Sequence, residues 1–229
     1  MRTESTIENV ARARERIAAA LERSGRSGED VTIVGVTKTF GPERVEELVR
    51  AGITDVGENR VQEFLDKKSR VSLPCRWHLV GTLQRNKAAK VIGEVHLIHS
   101  LDGLKLAETL SRLAADRGIT VRALVQVNTS GEETKHGLKP EELIDTLARI
   151  VRLPNLLVNG LMTIGPLTDD PAERRRSFFS LRNLRGRAED ELGIELPELS
   201  MGMSDDFEEA VEEGATIVRL GRVLLGDRG

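Results

Sequence analysis

The sequence predicts an α/β fold, a single closed (β/α)8 barrel of the TIM type with an extra N-terminal helix, on three observations. Eight short runs rich in Val, Ile and Leu begin near residues 31, 55, 77, 96, 121, 156, 198 and 217. The spacing after each run leaves room for a crossover helix, the alternation that builds a parallel sheet. The length of 229 residues suits one such barrel, with a helix over about 5–24, the barrel over about 31–226 and one domain over 1–229. A doubly wound open sheet meets the same periodicity, because the pattern counts strands without showing whether the sheet closes.

Residues 7–23 set Ile7, Val10, Ile17 and Leu21 among Glu and Arg at near-helical spacing and end in Ser24-Gly25, which predicts an amphipathic opening helix. VTIVGVTK, from Val31, is β-branched and apolar enough for a buried parallel strand; Gly41-Pro42 then introduces a helix over 43–50. A strand at 55–58 precedes a helix over 61–68, and RWHLVG precedes one over 86–92. HLIHS leads to a helix over 104–117, and VRALVQVN leads through a polar loop to one over 141–151. LLVNGLMTIG is followed by a long helix over 172–192, ELSMG by one over 207–213, and TIVRLG is the eighth strand. Only GRVLLGDRG remains, too short for a full covering helix, so the opening helix is expected to fill part of the gap.

Composition narrows the function. With 34 Lys+Arg against 37 Asp+Glu, a net charge of -3, 39% hydrophobic and 3% aromatic residues, the chain has an ordinary soluble profile. No block of five or six basic residues occurs, and the run Arg174, Arg175, Arg176 is too short to suggest a nucleic-acid or polybasic membrane binder. Neither a signal-peptide core nor a membrane-spanning apolar stretch is visible. One cysteine, Cys75, excludes an intramolecular disulfide framework and a multi-thiolate zinc site, and fits a reducing compartment, by default the cytoplasm. No spacing of His, Asp and Glu makes a convincing metal site. Tyrosine is absent, which removes any Tyr-based acid or base from the chain.

In a parallel barrel the chemistry gathers where the strands end. Lys38 ends the first apolar strand and is one of only 8 lysines. Low-dielectric walls there would favour a neutral amine able to form a Schiff base; a snorkelling lysine, or one paired with Glu58, is the plainer alternative. At the other end of the chain, SMGMSDD and VRLGRVLLG offer Gly202, Ser204, Gly221 and Arg222 for a phosphate, unless the glycines serve only turns and Ser204 caps a helix. Closure would bring the eighth strand beside the first, and so the lysine beside this cup. A ligand with an aldehyde at one end and a phosphate a few ångströms away would satisfy both, and pyridoxal phosphate has that shape. Arg219 would lie between them, facing a ring nitrogen or the phosphate, or simply pairing with an acid.

The other polar residues at strand ends carry less. Asn59, Asn86 and Lys87 could contact a ligand, although an Asn after a strand more often caps or turns. His78 and His99 are read as satisfied structural groups rather than acid/base groups, and His136 as solvated. Trp77 is out of step with His78, so one faces the barrel interior and the other the helices. Cys75 falls at the far end of the barrel and is read as structural.

Taken together, TKTF, GENRVQE, WHLVGTLQRNK, HSLDG, GLMTIG, LSMGMSDD and VRLGRVLLG resemble, in this order and over nearly the whole chain, the pyridoxal phosphate homeostasis protein family (YggS-like). The resemblance implies a barrel of the alanine-racemase type that holds pyridoxal 5'-phosphate as an internal aldimine on Lys38. It matches the family's phosphate-binding serine to Ser204, and its closing turn and arginine to Gly221 and Arg219. The cofactor-binding set expected is therefore Lys38, Asn59, Met203, Ser204, Arg219, Gly221 and Arg222. Two positions depart from the family pattern: Arg222 stands where many relatives carry Thr or Ser, and Arg60 where relatives often carry Tyr.

The expected role is cofactor homeostasis without an established turnover reaction: buffering pyridoxal phosphate and delivering it to apo-enzymes, with an indirect effect on amino-acid and keto-acid balance. A racemase or decarboxylase on the same barrel is the alternative, but a two-base racemase would need a tyrosine and a second domain, and this sequence ends just after the eighth strand. A cofactor-free Schiff-base aldolase uses the same lysine. Without the second domain's contacts, a monomer is expected.

Overall fold

The computed structural model describes residues 5–132 and 134–226. Its strands are β1 (Thr32–Val36), β2 (Asp55–Glu58), β3 (Arg76–Leu79), β4 (Leu97–Leu101), β5 (Val121–Gln126), β6 (Leu156–Met162), β7 (Glu198–Ser200) and β8 (Ile217–Leu220). They pair in parallel in chain order, and β8 returns to β1 with Val34 opposite Arg219 and Gly35 opposite Leu220. The sheet is closed, which excludes the open doubly wound alternative.

Strand periodicity divides the core into two. Val34, Val36, Val80, Leu97, Leu124, Met162 and Ile217 point inward and pack together inside the barrel. The alternate residues point outward, where they meet the apolar faces of α2 (Pro42–Arg50), α3 (Val61–Arg70), α4 (Leu104–Arg117), α5 (Leu143–Ile150), α6 (Pro171–Leu192) and α7 (Phe207–Glu212). Trp77 belongs to this outer layer, edge-on to Phe64 of α3 at 5.6 Å, while His78 turns inward.

The opening helix, α1 (Thr6–Arg23), is held at its start by a reciprocal cap between Ser5 and Glu8. Its buried face is Val10, Ala13, Ile17, Ala20 and Leu21. It lies across α7 and the short α8 (Arg222–Leu225), with Arg16 bonded to Glu208 and stacked over Phe207, and the Asn9 amide donating to the Leu224 carbonyl. It thereby covers the sector that one turn of α8 leaves open. Ile7 is not on the buried face: it is 65% exposed and lines a surface cleft with Val223 and Leu225.

Two expected helices differ in kind. The stretch expected over 86–92 is a 3-10 helix, Arg85–Lys90, in which only Ala88 is buried, too little apolar surface to draw a full α-helix onto the sheet. The stretch over 141–151 is a 3-10 turn, Pro140–Glu142, leading into α5, Pro140 having no N–H to donate. Residues 227–229 of the closing tail lie outside the described residues. Cys75 is half-buried before β3, and burial, helped by Asp55, pushes its thiol up to about 11, which keeps it unreactive near neutrality. Among the described residues no helix is long and apolar enough to cross a membrane, and no group of three His, Cys, Asp or Glu side chains is placed to hold a metal ion.

The β5–β6 ladder shifts register between Ala123 and Leu124, and Gly160 sits at that irregularity with φ 155°. A Cβ there would lie 1.9 Å from the Glu198 carbonyl oxygen on β7. Gly160→Ala should therefore cost about 3 kcal/mol or more in a urea unfolding titration, because sheet backbone has to move. Gly186→Ala, where a Cβ meets nothing within 4 Å on α6, should instead gain up to about 1 kcal/mol.

Candidate functional site

A pocket of about 730 Å³ lies at the C-terminal end of the barrel. Lys38, Asn59, Met203, Ser204, Arg219, Gly221 and Arg222 all line it. The apolar residues Val36, Phe40, Val80 and Ile164 form further wall, and Asp205 and Gly226 complete the rim. Val36 and Val80 were accessible to sequence reasoning as inward positions at strand ends; Phe40 and Ile164 lie in loops, where periodicity says nothing.

The backbone on both sides of Lys38 is held from α3. Lys67 Nζ donates to the Thr37 carbonyl at 2.6 Å, and Glu63 accepts the Thr39 N–H at 3.1 Å. Between these contacts Thr39 takes φ 70°, unusual for a β-branched residue, so the turn out of β1 is imposed by its surroundings. Lys67 also pairs with the fully buried Glu58 at 2.5 Å, and Thr37 Oγ1 donates to the same carboxylate. Burial drives the Glu58 carboxyl above its usual range, while Lys67 and Thr37 pull it back. Glu58 is thus occupied and is not the partner of Lys38. Among the described residues the half-buried Lys38 ammonium has no hydrogen-bond or ion-pair partner, and it faces the pocket.

The opposite wall is built by the turns after β7 and β8. Gly202 takes φ 92°, and a Cβ on it would lie 2.6 Å from the Ala210 Cβ, so this glycine serves the turn and the packing of α7 and does not line the pocket. Ser204 does line it. Its hydroxyl accepts the Val223 N–H at 3.3 Å; it does not cap α7, whose first turn follows Asp206. Asp206 accepts the Met203 N–H at 2.6 Å and so closes the loop. Arg222 is exposed and its guanidinium is engaged by Asp205, which ties the β7 turn to the β8 turn across the rim.

Arg219 lies at the floor. It is fully enclosed, donating to Ser200 Oγ at 2.7 Å and to the Thr163 carbonyl at 2.8 Å. Burial pushes its pKa down to about 10, with Asp206 opposing, so the guanidinium is charged at neutral pH without a carboxylate in contact. Other residues singled out from the sequence lie elsewhere. His78 and His99 are buried inside the barrel beneath Arg219, and the His136 carbonyl accepts from the Gln126 amide. Asn86 and Lys87, on the 3-10 helix after β3, do not line the pocket.

A closed (β/α)8 barrel with a lysine at the end of β1 that has no partner among the described residues, facing a serine- and glycine-containing turn and a buried guanidinium from β8, defines a lysine-bearing binding barrel. The sequence profile described as "Alanine racemase, N-terminal domain" matches residues 9–229. The chain is 46% identical over 225 residues to the pyridoxal phosphate homeostasis protein of Aquifex aeolicus, covering 98% of this chain and 99% of that one. It is 40% identical to the protein of the same name from Pseudomonas aeruginosa, over 98% of this chain and 96% of that one. The structure of PipY from Synechococcus elongatus PCC7942 with PLP bound superposes with a TM-score of 0.85 at 32% identity, covering 97% of this chain and 100% of PipY. The chain belongs to the alanine racemase N-terminal domain family and, within it, to the pyridoxal phosphate homeostasis proteins.

Lys67→Met should lower stability by about 3–5 kcal/mol in a urea titration, because it strands the Glu58 carboxylate in the interior. Adding Glu58→Gln to that variant should recover at least half of the loss. No recovery would place the cost in the packing around Lys67 and not in the stranded charge.

Proposed function

We propose that residues 1–229 act as a single unit that carries pyridoxal 5'-phosphate on Lys38 and serves cofactor homeostasis, buffering the aldehyde and delivering it to apo-enzymes. The observation that carries this reading is the unpartnered Lys38 amine facing the same pocket as the Ser204–Gly221 wall and the buried Arg219 guanidinium. The donor set fits the cofactor: an amine for the aldehyde, a hydroxyl and the Gly221–Arg222 turn for the phosphate, and a guanidinium at the floor for the ring edge. The relatives are named for the homeostasis of this cofactor, and PipY has been solved with it bound.

Within this role each residue has a separate task. The clamp from α3 aims the Lys38 backbone, and Ser204 and the turn at Gly221 take the phosphate. The Asp205–Arg222 pair keeps those two turns together and supplies the tie where many relatives carry a hydroxyl. Asn59, Met203 and the apolar wall of Val36, Phe40 and Val80 enclose the remaining surface. Bound pyridoxal phosphate supplies a reversible carbon–nitrogen double bond and an electron-withdrawing ring. Arg219 can only donate, so it leaves a ring nitrogen unprotonated and the electron sink weak, which suits carriage better than turnover. The absence of tyrosine argues in the same direction against a two-base racemase. We place the protein in the cytoplasm, acting as a monomer.

The absorbance spectrum of the purified protein, borohydride reduction and peptide mass mapping test the anchor. Lys38→Ala should abolish the reducible adduct and leave the thermal transition within a few degrees of the parent; an adduct that persists would move the anchor elsewhere. Ser204→Ala and Arg219→Gln should each weaken cofactor retention by about 1–3 kcal/mol, measured by release into excess apo-enzyme. Unchanged retention in both would rule out the assigned contacts. Turnover of amino acids by the loaded protein would return the racemase or decarboxylase reading.

A further inference from the structure

The barrel interior carries an unbroken file of polar side chains that ends on Arg219. Arg76, at the N-terminal end of β3, holds Asp55 through two bonds of 2.7 and 2.5 Å. Asp55 Oδ1 lies 2.9 Å from His78 Nε2, His78 Nδ1 lies 2.9 Å from His99 Nε2, and His99 Nδ1 lies 2.9 Å from Ser200 Oγ. Ser200 Oγ then receives the Arg219 guanidinium at 2.7 Å. His78, His99, Ser200 and Arg219 are each 5% exposed or less, so solvent cannot supply a missing partner.

The two ends fix the direction of every bond between them. Burial opposes charge on Asp55, but the bonds from His78 and Arg76 outweigh it and hold the carboxyl at about 2; at neutral pH it only accepts. His78 therefore carries a hydrogen on Nε2. If His78 is neutral, its Nδ1 accepts from His99 Nε2–H, His99 Nδ1 accepts the Ser200 hydroxyl hydrogen, and a Ser200 lone pair is left for Arg219. Every hydrogen in the file then has an acceptor. If His78 were an imidazolium, each bond beyond it would reverse, and Ser200 would accept from both His99 and Arg219. Its own hydrogen would then be buried without a partner, at a cost the neutral arrangement avoids. Burial, reinforced by the Arg219 charge, also holds the His99 pKa well below its ordinary value.

We propose that Asp55, His78, His99 and Ser200 are positioning residues that act through Arg219. A one-way hydrogen-bond file, both imidazoles neutral and protonated on Nε2, turns the Ser200 lone pair to the guanidinium and so fixes its aim at the cofactor. The effect on the cofactor rests on the function proposed above; the direction of the file does not. Without the file, Arg219 would keep the Thr163 carbonyl alone and could swing about that contact.

Long-range proton–nitrogen correlation spectra of the imidazoles test the file directly, and the chain has only four histidines to assign. At pH 7.5, with and without pyridoxal phosphate, His78 and His99 should both show the Nε2–H tautomer. An imidazolium, or a hydrogen on Nδ1, at either residue would overturn the proposal whatever the cofactor does. Ser200→Ala should then speed cofactor release by about tenfold and shift the visible band, and Ser200→Thr, which keeps the hydroxyl, should return release to within about threefold of the parent. His99→Phe should speed release similarly, and combining it with Ser200→Ala should add little, because both act through one bond. Fully additive losses, or no effect of Ser200→Ala on release, would reduce the file to a structural feature. Failure of the parent protein to bind the cofactor would sink the functional reading and leave the tautomer result standing.

Discussion

Parallel pairing of β8 with β1 is the contact on which the rest of the molecule depends. It places Arg219 opposite Val34 and Leu220 opposite Gly35, and so sets the end of the chain beside residues near its beginning. Lys38 and Gly221 come to one rim only because this ladder forms. A closed sheet has no exposed edge to cover, but it has to be filled, and the filling here is unusual. Apolar side chains pack part of the interior, while Asp55, His78, His99, Gln126, Ser200 and Arg219 occupy much of the rest.

Buried polar groups at this density are tolerable only when nearly all are satisfied. The carboxylate of Asp55 is matched by Arg76 and His78, and that of Glu58 by Lys67 and Thr37. Arg219 is the exception, since its two hydrogen-bond partners are neutral oxygens. A charged guanidinium at the floor of a pocket, without a carboxylate in contact, retains much of its capacity to favour an electron-rich ligand. The stranded atom on the other side, Glu58 Oε2, has no hydrogen-bond partner among the described residues, and it lies in the group that anchors the Lys38 turn. Unmet polar demand thus lies close to both residues assigned to the cofactor, Lys38 and Arg219, the usual trade between stability and a site.

Much of the fold was legible because a buried parallel strand is a short apolar run whichever way its side chains point. β2 and α4 occupy the residues that periodicity assigned, and the other strands start within a residue or two of expectation. Local patterns gave less where local forces are weak: the segment after β3 reads as a helix over 86–92, but it has too little apolar surface to hold more than the 3-10 helix Arg85–Lys90. Site residues just past strand ends could be listed one by one, and all seven expected around the cofactor line one pocket. The α3 clamp escaped that list because Lys67 falls on a helix, three residues after Phe64 on its buried stripe; a lysine at such a position is itself a sign of an interior partner. The polar file escaped it too. Asp55 opens β2 at the end away from the pocket, His78 and His99 read one by one as satisfied structural groups, and His99 meets Ser200 across 101 residues of chain.

A carrier faces opposing demands, since the contacts that retain a cofactor also slow its transfer. The architecture separates them by depth. Arg219 and the Lys38 turn are held by buried partners and have little freedom to respond to an approaching protein. Met203 is 38% exposed, and the Asp205–Arg222 pair is also open to solvent on the rim, where ion pairs are individually weak and easily exchanged. A partner that engaged Arg222 or Asp205 would loosen the tie between the β7 and β8 turns, the wall assigned to the phosphate, without disturbing the floor. In the proposed role, holding is then a property of the barrel interior and release a property of its rim.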